Sequence, residues 1–350
     1  MGLLGAFVLS CLLVGLAVAD DEHCHTPTVS NVGSVPALAG DVCKINGALG
    51  TSPPDFVTAK AIYRSALKDV ATASRSTPTW VQYNNFFGGA GWMDDILDDA
   101  FDKTTTSTTK RVQIIKKVLQ GTVLTQEMLY HAESALSSYE DGDAEEALIS
   151  WEKGMAAFYG EDVDCAPFGN GQARGIEFGL TMKGVGNAAY NIAATFGAGA
   201  EAIEEGEDAG EVADAIKEIK RNVVIVYVQS VAKYATLIDQ AIERGDDFEK
   251  AQGEGFGYLH AILPILNDAN ARDASKILAV FNPANEPSEE EAEEVLDLLK
   301  KMYGALGVSA SEIKSFDGSR SGRFSPPSEV ACEAFNPFVG VGVKAVDVDK

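Results

Sequence analysis

Apolar residues recur at three- and four-residue steps through most of this chain, most clearly from Val123 to Gly160. Leu124, Met128, His131, Ala135 and Ser138 share one face of a first helix. Ala147, Leu148, Trp151, Gly154, Met155 and Phe158 share one face of a second. Between them, Gly142 suits the left-handed residue that ends a helix, and Asp143 suits the N-cap of the next, with Glu146 three residues on. The spacing predicts an antiparallel helical hairpin. Its inner face is apolar except at His131 and the neighbouring Glu127, one turn apart.

The same period organises the flanks. Residues 54–75 read as a helix with Pro54 in its first turn and a stripe of Phe56, Ala59, Ile62, Tyr63, Ala66 and Val70. Residues 92–103 put Met93, Ile96, Leu97 and Phe101 inward and five aspartates, Asp94, Asp95, Asp98, Asp99 and Asp102, outward. Like charges at those spacings oppose a helix by a few tenths of a kcal/mol per pair. A bound cation would relieve them; a solvated acidic face explains them as well. Residues 20–52 read as irregular, 104–109 (TTTSTT) as a linker, and 161–179 as a Gly-rich polar loop of the kind that holds ligands.

From Lys217 to Pro264 the central hairpin repeats. Tyr130 matches Tyr234, and EDGDAEE (140–146) matches ERGDDFE (243–249) in the pattern E-x-G-D-x-x-E. Gly154 and Gly257 fall in register at the turns' offset of 103. VVIVYV (223–228) is the one β-like run, and it lies inside helical periodicity. The expectation is an all-α fold: two pseudo-symmetric helical-bundle halves from an internal duplication, with irregular loops, stapled by disulfides. The halves would be 20–205 and 206–350, after a signal peptide over 1–19.

That leader, MGLLGAFVLSCLLVGLAVA, is uncharged, apolar and ends in small residues, although it lacks a basic n-region. No later run is long and apolar enough to span a bilayer, and the C-terminus lacks the hydrophobic tail of a lipid-anchor signal. The reading is a secreted protein of the extracellular or periplasmic space with no membrane insertion. Cys24, Cys43, Cys165 and Cys332 remain after Cys11 leaves, and in an oxidising compartment they favour two disulfides. The pairing expected is Cys24–Cys43 as a local staple and Cys165–Cys332 as a tie from the tail.

Composition narrows the partners. Fifty-two acids against 28 bases give a formal charge of −24, which opposes nucleic acid and suits a cation, or solubility alone. There is no GxSxG, P-loop, dinucleotide fingerprint, HExxH or EF-hand loop, and the four His support no nucleophilic centre. The chain reads as a non-enzyme.

Metal binding fits better. Glu127 and His131 stand four residues apart, and counting back from Gly142 sets Glu152 opposite them on the antiparallel partner. Glu177, in the loop with Asp162, Asp164 and Arg174, can complete a shell. Carboxylates with imidazole from facing helices are ligands for iron or manganese, and Tyr130 or Tyr159 can add a phenolate. A hydrogen-bonded core histidine accounts for the same pair. At the repeat offset of 104, Val231 and Ala235 stand where Glu127 and His131 do, so a site would belong to one half. His260, near Tyr258 and Glu254, is a lesser candidate, and DDEHCH (20–25) places His23 where copper or nickel can bind a free N-terminus.

DVCKINGALGTSPPDFVTAKAIY (41–63), WEKGMAAFYG (151–160) and QARGIEFG (172–179) resemble the iron-assimilating proteins of green algae, secreted periplasmic proteins also described as high-CO2-inducible. The resemblance covers nearly the whole mature chain. It implies capture or delivery of iron at the cell surface without turnover. The ion expected is Fe2+ or Fe3+, and a cell-surface iron transporter or reductase is the partner expected beside it. The ligands Glu127, His131, Glu152 and Glu177 come from spacing alone. The competing expectation is a wall-associated structural or adhesion protein whose acids bind cations weakly and collectively.

Overall fold

The computed structural model describes residues 27–320 and is mostly helical, with one two-stranded hairpin among the described residues. Residues 1–19, expected to be a leader, and DDEHCH, Cys24 and Cys332 lie outside that range. The first six helices are α1 (Val29–Val32), α2 (Ala37–Leu49), α3 (Phe56–Ala66), α4 (Lys68–Thr72), α5 (Pro78–Phe87) and α6 (Trp92–Asp102). Next come α7 (Thr108–Lys117), a π-helical turn (Val118–Val123), α8 (Leu124–Glu140) and α9 (Ala144–Tyr159). A 3-10 turn (Val163–Cys165) leads into α10 (Pro167–Glu177), the hairpin β1 (Thr181–Met182) and β2 (Val185–Gly186), and α11 (Asn187–Glu205). The chain continues with α12 (Ala209–Arg244), α13 (Glu249–Leu259), α14 (Leu263–Phe281), α15 (Glu289–Met302) and α16 (Ala310–Ile313). No helix among the described residues is long and apolar enough to cross a membrane.

The central hairpin forms as its pattern requires. Gly142 has φ of 84°, and Asp143 accepts the Glu146 amide at 3.1 Å. Gly154 lets α9 approach α8 closely: a Cβ there would lie 3.2 Å from the Met128 carbonyl and 3.3 Å from the Ala132 amide. Trp151 is fully buried, and its indole donates to the Phe196 carbonyl at 2.7 Å. VVIVYV lies buried within α12, helical as its periodicity requires.

Two apolar clusters carry the packing. One gathers residues of α2 to α8 with Cys165 and Ala166; the other runs from Met128 to Ile313 and takes in α11 and α12, on either side of the turn at Gly206. Shared burial of this kind is the main stabilising term in a fold of this size.

Several segments differ from expectation. Residues 20–52 are not irregular throughout: α2 buries Val42, Ile45 and Leu49, a stripe at helical steps that its glycines mask in composition. The Gly-rich stretch after Gly160 is a buried helix, α10, with Pro167 in its first turn. Its glycines serve packing. A Cβ at Gly171 would press on Ala189, and one at Gly175 would overlap the Gly186 backbone. A run of glycines therefore marks close approach here, at some cost in helix propensity.

The disulfide expectation also changes. Cys43 bonds Cys165, with Cα atoms 5.5 Å apart across 122 residues of sequence, which replaces both Cys24–Cys43 and Cys165–Cys332. Packing of α2 on the 3-10 turn brings the two sulfurs together. Nearness in sequence was a poor guide to partners, because the tertiary fold sets which Cβ atoms meet.

Candidate functional site

The expected site begins at the irregular part of the long helix. After the π-turn, α8 presents Glu127 in its first turn and His131 one turn on. His131 Nε2 lies 3.0 Å from Glu127 Oε1. The other oxygen accepts from Arg75 Nη1 at 2.5 Å. Arg75 comes from the segment between α4 and α5, where its guanidinium lies 3.7 Å from the Tyr130 ring centroid and 4.5 Å from that of Trp80. Burial would raise the Glu127 pKa, but the His131 hydrogen bond and the Arg75 charge outweigh it and hold it below its usual value.

Glu152 and Glu177 take other partners. Glu152 is fully buried and accepts from the Thr28 amide at 3.1 Å and Asn31 Nδ2 at 2.8 Å, so its carboxylate ties α9 to α1. It is Gly154, two residues further along α9, whose backbone comes close to α8. Glu177 on α10 pairs with Lys233 of α12 at 2.7 Å and with Arg174 at 2.9 Å. The structure thus brings Glu127 and His131 together, and it engages Glu152 and Glu177 with separate groups.

Among the described residues, the group whose ligand atoms converge within 4.8 Å is Cys43, Asp162 and Cys165, and there the two sulfurs are bonded to each other. A disulfide offers no thiolate to a metal. Asp162 accepts the Asp164 amide at 3.2 Å, and the Asp164 carbonyl accepts from Gln120 of the π-turn at 2.6 Å. Tyr159 is buried and its pKa is pushed up, which disfavours the phenolate. Tyr130 packs on Arg75 and, edge-on, on Trp80.

His260 is a core residue. Its ring is 5% exposed, stacks on Phe87, and has Nδ1 2.7 Å from the Phe256 carbonyl. Burial pushes its pKa down to about 4, so it is neutral near pH 7. Four of the five aspartates of α6 have partners: Lys60 pairs with Asp98 and Asp102, Lys68 with Asp94, and Lys103 with Asp99.

Two features escaped the sequence reading. Arg75 gave no signal, because nothing along the chain links it to residues 52 positions away. Glu133 is 6% exposed and accepts from the Thr79 amide and hydroxyl at the N-terminus of α5, with Lys220 paired to it.

Comparison with protein-family models, with curated proteins and with solved structures found no match.

Proposed function

We propose that this chain captures iron outside the cytoplasm and passes it on without turnover. The observation that carries the reading is the contact of His131 Nε2 with Glu127 Oε1, a carboxylate and an imidazole side by side on α8. Both are accepted by iron in either oxidation state. The formal charge of −24 adds a field that draws cations toward the surface, weakened by salt. The resemblance to algal iron-assimilating proteins points the same way. An ion reaches Glu127 by displacing the Arg75 guanidinium, so Arg75 is its competitor.

Isothermal titration of the secreted protein with ferrous and ferric iron tests this. His131→Ala should weaken the tightest phase, and Arg75→Gln should strengthen it. Unchanged affinity in His131→Ala removes the pair from the reading.

A second reading rests on Arg75 itself, which already neutralises Glu127 and leaves that carboxylate no need of an ion. On it, the chain is a wall-associated structural or adhesion protein with weak collective cation binding. That predicts many equivalent weak sites and no preference for iron over calcium.

We also read the repeated turn as the trace of a duplication. At the offset of 103, residues 108–140, which form α7, the π-turn and α8, correspond to 211–243 within α12. Gly142 and Gly245 both take positive φ at the ends of these long helices.

A further inference from the structure

The region where α7, α10, α12 and α13 meet holds three cationic side chains around one tyrosine pair. Tyr234 and Tyr258 stack with ring centroids 5.7 Å apart. The Arg174 guanidinium lies 5.8 Å and 6.0 Å from those centroids, Lys117 Nζ 5.4 Å from that of Tyr258, and Lys233 Nζ 5.2 Å from that of Tyr234. Two carboxylates face them: Glu177, paired with Arg174 and Lys233, and Glu254, 3.8 Å from Lys117. Three cations against two anions leave one positive charge in excess, inside a chain whose formal charge is −24.

The donors there are incompletely used. Arg174 is 5% exposed, and its Nε and Nη1 are buried with no acceptor in hydrogen-bonding geometry. The Tyr234 hydroxyl lies against the guanidinium and couples to it through charge and a loose hydrogen bond that falls outside strict geometry. Asn170, four residues earlier on the same face of α10, is 4% exposed. Its Oδ1 accepts from the Tyr258 hydroxyl at 2.7 Å, while Nδ2 is buried and turned toward the Tyr227 hydroxyl without reaching hydrogen-bonding geometry. Glu177 Oε2 is the one acceptor of the cluster that is buried and likewise outside that geometry. Buried donors left unpaired are costly, more so when charged, so native interiors rarely keep three together. Burial and the Arg174 charge together push the Lys233 pKa down.

The setting is not ordinary helix packing. Lys117 is the last residue before the π-turn, and π-turns interrupt helices often at functional positions. Gly121 within that turn allows Tyr258 in: a Cβ there would lie 2.7 Å from the Tyr258 ring.

We propose that this interior binds one small monovalent anion, a halide or a compact oxyanion, held by Arg174 and Asn170 with Lys117 and Lys233 supplying the surrounding charge. Such an ion satisfies the free donors, cancels the excess charge and ties four helices to one centre. Lys233 and Glu254 keep 14% and 13% of their side-chain surface exposed, so the cluster reaches solvent at two of its members.

Crystals of the secreted protein soaked in sodium bromide, measured at the bromine edge, test this. An anomalous peak beside Arg174 and Asn170 is expected, and ordered water alone at those donors overturns the proposal. Asn170→Asp keeps the size of the side chain and supplies a built-in carboxylate, so it should lose the bromide peak. In solution, rising sodium chloride should raise the wild-type melting temperature more than that of Asn170→Asp. A peak that persists in the variant, or equal salt responses in the two proteins, overturns it as well.

Discussion

Arg75 Nη1 lies 2.5 Å from Glu127 Oε2, with the guanidinium packed against the rings of both Trp80 and Tyr130. The ion pair is 14% and 6% exposed at its two side chains, so little water screens it. Removing one partner of such a pair strands the other charge, at a cost of about 3–5 kcal/mol. Arg75→Ala should therefore lower stability by about 3 kcal/mol, measured by urea unfolding at pH 7. Adding Glu127→Gln should return part of the loss, since the stranded carboxylate is then gone; simple addition of the two single-mutant losses counts against this account.

The same carboxylate bears on acid stability. Its folded pKa is lowered, so its contribution is present above the unfolded carboxylate value near 4.5 and is lost as pH falls through the folded value. Wild type and Glu127→Gln should accordingly converge in stability at strongly acidic pH and diverge at neutrality.

His260 gives a separable effect at higher pH. Its pKa is about 4 folded and 6.5 unfolded, so between those values the unfolded chain binds the extra proton and stability rises with pH. The gap corresponds to about 3 kcal/mol at most, lost on going from neutrality to pH 4. His260→Gln, which keeps a donor near the Phe256 carbonyl, should flatten that part of the profile. An unchanged slope in the variant refutes the assignment.

The Cys43–Cys165 bond closes a loop of 122 residues, for which chain entropy suggests about 5 kcal/mol. Cys43→Ser with Cys165→Ser should lower the melting temperature, and reductant should do the same to wild type but not further to the double variant. Peptide mapping without reduction checks the linkage directly.

Gly199 of α11 sits where a Cβ would overlap the buried Trp151 indole. The indole is pinned by its bond to the Phe196 carbonyl and has nowhere to go. Gly199→Ala should cost about 1–3 kcal/mol as overpacking, despite the better helix propensity of alanine. A neutral or stabilising result in thermal unfolding would show that the indole can shift.

The sequence alone determined the helical character of the chain, the hairpin with its Gly142–Asp143 turn, the helicity of VVIVYV and the Glu127–His131 contact. Each depends on residues within a few positions of one another, where helical geometry converts spacing directly into distance. The tertiary structure alone decided that Arg75 occupies the second oxygen of Glu127, that Cys43 meets Cys165, that Glu152 and Glu177 bind separate partners, and that the Gly-rich stretch before Glu177 is a buried helix. Those outcomes depend on which faces pack together. Packing is settled by shape and burial summed over distant segments, and neither the period nor the composition of any one segment carries that information.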